Sequence, residues 1–198
     1  MKFLIVGGFL GSGKTSFILN LAKYMVNVRG IQKVAILENE IGEVGVDDKV
    51  LRGSGYQVKG MFSGCVCCTM AGELPINVRM IQKDYDPEWI IMEATGVAFP
   101  DSIKENLHHT LGVHAQVVCI ADAQRWKKLF KPLEHLLPLQ LKGADLVLLN
   151  KADMVNETEL KEVRESIRAI TPETAIICTC AKEEISGKIL DRIIDWEG

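Results

Sequence analysis

The chain has 198 residues, 47% hydrophobic and 25% charged, and a net charge of −3 at pH 7, which suits one domain over residues 1–198. That balance supplies no basic field for nucleic acid. No apolar run can span a membrane, and Lys2-Phe-Leu-Ile-Val6 is too short and too soon followed by glycines for a secretory leader. Six cysteines without secretory features point to a reducing compartment, the cytosol, where clustered thiols suggest metal or redox chemistry.

The first apolar run, Phe3–Val6, reads as a buried strand, and a helix-like segment runs from Thr15 to about Val28. Between them lies Gly8-Phe-Leu-Gly11-Ser12-Gly13-Lys14-Thr15-Ser16, which fits the Gly-x-x-x-x-Gly-Lys-Ser/Thr pattern. Glycines let backbone N–H groups converge on phosphate oxygens, and the following helix N-terminus adds partial positive charge. Lys14 is placed to reach the outer phosphates and Thr15 to ligate Mg²⁺. The strand before and the helix after argue against a chance glycine-rich turn.

The second strand, Val34–Leu37, runs into Glu38-Asn-Glu40-Ile-Gly42-Glu43. These carboxylates can order Mg²⁺, ligate a second metal or activate water, Glu40 being the candidate for catalysis; an exposed acidic turn is the plainer reading. From Asn39 to Phe62 the chain is glycine-dotted and charged, with one weak strand candidate at Tyr56–Lys59. Connections this long are usually functional.

It ends at Gly64-Cys65-Val-Cys67-Cys68. In an extended segment Cys65 and Cys67 share one side and form a two-thiolate clamp, and Cys68 points away or joins at a turn. The following helix-like stretch, Glu73–Lys83, favours thiolates at its N-terminus. Zinc wants four ligands at roughly 2–2.3 Å, so two or three sulfurs leave room for a carboxylate, water or a handed-over ligand. A closed structural zinc site, a redox pair or buried small hydrophobes are the alternatives. Met61 and Met70 flank the cysteines and read as core filling or soft accessory ligands.

The third strand, Trp89–Met92, is closed by Glu93-Ala-Thr-Gly96. Glu93 can orient the Mg²⁺ shell or the attacking water, and the Gly96 amide can meet the γ-phosphate; the alternative is a solvated strand-end glutamate. Val117–Ile120 reads as the fourth strand and Leu146–Leu149 as the fifth, followed by Asn150-Lys151-Ala-Asp153. A carboxylate there can accept from the N1–H and exocyclic amine of guanine, a donor pair adenine lacks, so Asp153 is expected to select GTP over ATP; a polar turn is the plainer reading of the four residues alone. Asn150 and Lys151 brace the loop and cover the base. A helical pattern at Leu160–Ile170 precedes the sixth strand, Ala175–Cys178. Cys180-Ala181-Lys182 then stands where guanine-binding proteins often present a Ser-Ala-Lys turn, though Cys180 also reads as a buried thiol. The last helix is expected over Ile185–Ile194. Trp126 and Trp196 fall in helix-like segments, and His108-His109 reads as a helix-end pair.

Strand–helix alternation with continuous apolar strands predicts an α/β fold, a mostly parallel sheet with helices on both faces. The phosphate loop, Glu38, Glu93, Asn150 and Cys180 all follow strands, so they are expected on one rim.

In this order, Gly-Phe-Leu-Gly-Ser-Gly-Lys-Thr, Glu-Asn-Glu-x-Gly-Glu, Gly-Cys-x-Cys-Cys, Glu-x-Thr-Gly and Asn-Lys-x-Asp resemble the CobW-type metallochaperone GTPases, relatives of the urease and hydrogenase nickel-insertion GTPases. The resemblance runs from Lys2 to about Lys182. It implies a P-loop GTPase fold, with GTP organising a thiolate site for zinc, cobalt or nickel and hydrolysis freeing the metal to a client metalloprotein or a cobalamin or corrinoid pathway protein. By motif match, Cys65, Cys67 and Cys68 are implied as metal ligands, with Glu38 and Glu43 as accessory ones. Lys14 and Thr15 handle phosphates and Mg²⁺, and Asp153 the guanine. Relatives also imply a possible homodimer.

There are departures. Such proteins commonly carry a C-terminal domain and often a histidine-rich tract; this chain stops soon after its last helix, so that domain is expected to be absent, and its four histidines form no tract. Ser16 replaces a usual threonine, with little consequence for phosphate. A nucleotide-gated regulatory module, set by metal or thiol oxidation, is the alternative function; kinase-like phosphoryl transfer from ATP is a third.

Overall fold

Every residue of Ala115–Asp122 and of Leu146–Asn150 is buried, a pattern that only strands covered on both faces can show. The computed structural model describes residues 1–37, 73–180 and 183–197. In chain order they form β1 (Lys2–Gly7), α1 (Lys14–Asn27), β2 (Val34–Leu37), α2 (Glu73–Tyr85), β3 (Trp89–Glu93), α3 (Pro100–Leu111) and β4 (Ala115–Asp122). There follow α4 (Trp126–Phe130), α5 (Leu136–Leu141), β5 (Leu146–Asn150), a 3₁₀ turn (Ala152–Met154), α6 (Glu157–Ile170), β6 (Ala175–Thr179) and α7 (Gly187–Ile194).

The six strands form one sheet in the order β2-β3-β1-β4-β5-β6, and each pairing is parallel. Side chains alternate between two cores, as the period of two requires. Phe3, Ile5, Val117 and Val147 pack with Val78, Leu107 and Ile167 of α2, α3 and α6. Leu4, Val6, Val118 and Leu148 pack with Phe17 and Leu21 of α1 and Leu190 and Ile193 of α7. Each such buried aliphatic stabilises the fold by about 1.5–3 kcal/mol relative to exposure. Arg29 fastens α7 to α1 with hydrogen bonds to Asp191 (2.7 Å) and Asp195 (2.6 Å).

The fold class is as the alternation predicts, and β2 has the expected bounds. The other strands run further than their apolar cores, because ladder pairing continues into polar ends: Val6 pairs with Glu93, and Asp122 with Asn150. α6 starts at Glu157, earlier than Leu160, because Asn156 and Glu159 form a capping box. α7 starts at Gly187, two residues after Ile185, and ends at Ile194, so Trp196 lies outside a helix, a correction to its expected place. Trp126 opens α4, and His108 and His109 occupy the last turn of α3, as read.

Order reverses around β1, whose neighbours are β3 and β4. Ligands of open α/β sheets bind beyond the carboxyl ends of the strands at such a point.

Candidate nucleotide-binding site

The turn between β1 and α1 is built for a close approach. Gly8 has φ +133°, and a Cβ there would stand 2.2 Å from the Ile120 carbonyl oxygen, so only glycine fits. The Ser12 N–H donates to Phe9 O at 3.1 Å, closing the turn. Ser12 is buried, and its hydroxyl has no partner among the described residues. α1 opens after Gly13, in the left-handed region, with no side-chain cap. Its first N–H groups are therefore free of the usual competitor for an anion.

Glu93 ends β3 beside this turn. The Thr15 hydroxyl donates toward both its carboxylate oxygens, at 3.1 and 3.0 Å, and Lys14 Nζ stands 3.9 Å from Oε1. Lys14 is 6% exposed. A hydroxyl and a carboxylate side by side are hard oxygen donors of the kind Mg²⁺ takes. The backbone after Glu93 then lies on the phosphate loop: a Cβ on Gly96 would be 2.7 Å from Leu10 N. The Gly96 carbonyl accepts from the buried Gln140 amide at 2.6 Å.

Two further strand ends reach the same loop. Asn150, buried at the end of β5, donates from Nδ2 to Ser12 O at 2.7 Å. Lys151 adopts the left-handed conformation, and its Nζ donates to Gly11 O at 2.9 Å and to Asp122 Oδ2 at 2.6 Å. Asp122, at the end of β4, also accepts from Arg125 Nε at 2.7 Å. Burial alone would raise the Asp122 pKa, but the hydrogen bonds from Lys151 and Arg125 outweigh it and hold the carboxyl below its usual range.

A cavity of about 480 Å³ runs from Gly13, Lys14, Thr15 and Glu93 at one end to Asn150, Lys151, Asp153 and Cys180 at the other. Asp153 is exposed on the 3₁₀ turn, and Cys180 is half-buried on the cavity wall. Gly8, Gly11, Ser12, Ser16 and Gly96 belong to the turns around it or to its wall. The rim expected from the sequence is thus assembled from the ends of β1, β3, β5 and β6. Glu38, Glu40, Glu43, Cys65, Cys67, Cys68 and Ala181 lie outside the described residues, as do Met61, Met70 and Tyr56–Lys59. Among the described residues, no group of three or more His, Cys, Asp or Glu side chains is disposed to hold a metal ion. No helix among them is long and apolar enough to cross a membrane.

Asp122, Arg125 and Gln140 hold the turns around this site from outside its wall, although no motif marks them. Asp122 carried one available signal, a carboxylate directly after the apolar run of β4. Cys119, one residue from Gln116–Val118 on the same strand, is fully buried with its thiol donating to Gln140 O at 2.9 Å. Burial pushes this thiol up to about 12, so it stays protonated and inert.

Comparison with known proteins identifies the family. The family described as "CobW/HypB/UreG, nucleotide-binding domain" matches residues 2–178. The chain is 28% identical to the zinc chaperone CobW of a Sinorhizobium species, over 94% of this chain and 60% of that protein. It is 30% identical to the zinc chaperone YjiA of Escherichia coli K12, over 85% of this chain and 55% of that one. The solved structure of a Zn(II)-bound triple mutant of the YjiA GTPase has the same fold, with a TM-score of 0.66 at 20% identity over 96% of this chain and 60% of that one. The chain spans 60% or less of the length of these two curated relatives. The match over residues 2–178, nearly the whole length, makes this chain a member of the CobW/HypB/UreG nucleotide-binding-domain family.

Proposed function

We propose that this chain is a GTPase whose nucleotide state controls the binding and release of a transition metal. The observation that carries the nucleotide half is the pair of contacts at opposite ends of one cavity. Thr15 and Lys14 meet Glu93 at its phosphate end, and Lys151 ties the base-end turn to Gly11. In this reading the amides of Gly11 and Gly13, with Lys14, receive the β- and γ-phosphates, and the Gly96 amide meets the γ-phosphate. Asp153 accepts from guanine, while Asn150, Lys151, Cys180 and Ala181 frame the base. Thr15 and Glu93 would hold Mg²⁺, which neutralises phosphate charge when bound. Glu93, or Glu40 from the segment after β2, orients the attacking water.

The metal is cargo, and its ligands in this reading are Cys65, Cys67 and Cys68, assisted by Glu38 and Glu43. The support is the donor chemistry of the motif together with the family membership. The relatives named as zinc chaperones favour zinc over cobalt or nickel as the first metal to test. The client would be a metalloprotein or a protein of a corrinoid pathway, and a second copy of the chain could share the metal. Thiolates of this kind require a reducing compartment, which the cytosol supplies.

The test is a titration with Zn²⁺, Co²⁺ and Ni²⁺ in the presence of GTP, GDP and no nucleotide, repeated for Cys67→Ala. GTP should tighten binding to the wild type and not to the variant. A dissociation constant indifferent to nucleotide would defeat metal delivery. Release to an apo acceptor that ignores hydrolysis would favour a regulatory module instead.

A further inference from the structure

We propose that Arg125 is a positioning residue for the nucleotide: anchored on Asp122 and acting beside Lys151 and Asn150, it holds the phosphate loop in its binding shape. This rests on the reading of the cavity as a guanine-nucleotide site.

Three consecutive carbonyls of the loop are each held by a different side chain. Leu10 O accepts from Arg125 Nη2 at 2.5 Å, Gly11 O from Lys151 Nζ at 2.9 Å, and Ser12 O from Asn150 Nδ2 at 2.7 Å. The donors come from the ends of β4, which neighbours β1, and of β5, the next strand out, so the loop is clamped by the sheet and not by its own helix. In a trans peptide the C=O of one residue and the N–H of the next point in opposite directions. Pinning Leu10 O therefore sends the Gly11 N–H the other way, and pinning Ser12 O does the same for Gly13. Both glycines line the cavity, whereas Arg125 is absent from its wall. The arginine acts from behind the loop.

Its own placement is fixed locally. The Arg125 N–H donates to Asp122 Oδ1 at 3.1 Å while Nε donates to Oδ2, so one turn sets both backbone and side chain. Asp122 Oδ2 is shared with Lys151 at 2.6 Å, which joins the brace of the phosphate end to the base-end turn through one carboxylate. Gly11 accommodates the arginine: a Cβ there would be 3.1 Å from Arg125 Nη2. Lys151 and Asn150 belong to a recognised motif. Arg125 belongs to none, yet it occupies the third place in the same row of contacts.

The brace acts on phosphate amides, so its loss should be felt by ligands that carry phosphates and not by a bare nucleoside. The dissociation constants of GDP and of guanosine should be measured by calorimetry and NMR titration for the wild type, Arg125→Ala, Arg125→Gln and Arg125→Lys. Loss of one charge-assisted hydrogen bond predicts about tenfold weaker GDP binding for the alanine and glutamine variants, with guanosine unchanged within about twofold. Lysine should recover part of the loss. GDP binding within twofold of wild type in both neutral variants would overturn the proposal. So would equal weakening of GDP and guanosine, the mark of a residue that only holds the fold. The glutamine variant keeps the comparison open if alanine fails to fold. A wild type without preference for GDP over ADP would defeat the guanine reading alone; the same variants then decide the brace with ADP against adenosine.

Discussion

The hydroxyl of Thr15 and the carboxylate of Glu93, 78 positions apart, meet at 3.0 Å because β3 pairs with β1 and delivers its last residue beside the first turn of α1. One proton is thereby aimed between two oxygens, with the Lys14 ammonium at 3.9 Å. The hydroxyl and the carboxylate thus stand side by side as oxygen donors.

Glu93→Gln should retain GTP binding within about threefold while steady-state GTP hydrolysis falls by about 10² or more, the usual range for losing a positioned acid–base or metal-orienting carboxylate. Phosphate release assays at saturating GTP and Mg²⁺ check this. Hydrolysis within fivefold of wild type would remove Glu93 from the mechanism.

Asp153→Ala should reduce the preference for GTP over ATP by about 10²-fold, chiefly through weaker GTP binding, because only guanine offers the paired donors that a carboxylate accepts. Competition of labelled GDP by GTP and by ATP reads the ratio directly. An unchanged ratio would place base selection elsewhere.

Gly8→Ala combines a left-handed φ of +133° with a Cβ 2.2 Å from Ile120 O, and backbone cannot yield cheaply in a paired strand. We expect a loss of several kcal/mol in unfolding free energy, beyond the roughly 1 kcal/mol of φ strain alone. Gly112→Ala is the control: its φ is +66° with nothing within 4 Å of the added carbon. It should cost about 1 kcal/mol. Equal losses in urea unfolding would contradict the clash.

Asp122 has a folded pKa below its usual value, so its contribution is present above the unfolded carboxylate pKa and fades as pH falls through the folded one. Asp122→Asn leaves Lys151 and Arg125 facing a neutral amide, and should cost about 1–3 kcal/mol near pH 7. Urea titrations from pH 7 down to the acid limit of folding should show the two proteins converging below the ordinary carboxylate range. A gap constant with pH would mean that charge is not what Asp122 supplies.

Cys119 has its thiol pushed from 9.0 up to about 12 by burial. The folded state keeps a proton that the unfolded chain loses, so stability is complete below 9 and declines as pH rises from there toward 12. The slope is about 1.4 kcal/mol per pH unit for one proton. Cys119→Ala should flatten this decline relative to wild type. In the native protein, peptide-resolved alkylation at neutral pH should leave Cys119 unmodified while Cys180, on the cavity wall, reacts; modification of Cys119 at the same rate would refute its burial.

Much of the candidate site was legible before folding because its motifs are short runs of consecutive residues. Gly8–Thr15 and Asn150–Asp153 carry their geometry in four to eight consecutive positions. Strand cores were legible for a similar reason, since a strand buried on both faces must be a continuous apolar run. Strand ends were not: Glu93, Asp122 and Asn150 are polar, and only ladder pairing with a neighbour keeps them in the sheet. α5, with Leu136-Leu-Pro-Leu-Gln-Leu141, hides its helix because apolar side chains on every face erase the period.

By itself, the order of residues determined the parallel sheet, the glycine-rich turn after β1 and the Asn150–Asp153 turn after β5, each a matter of local backbone chemistry or of apolar surface that must leave water. Tertiary structure decided who braces that turn. Arg125 reaches Leu10 across 115 positions, Lys151 reaches Asp122 across 29, and Gln140 reaches Gly96 across 44. Such contacts depend on which strand ends lie side by side, a relationship that no local spacing encodes and that the β3-β1-β4-β5 order creates.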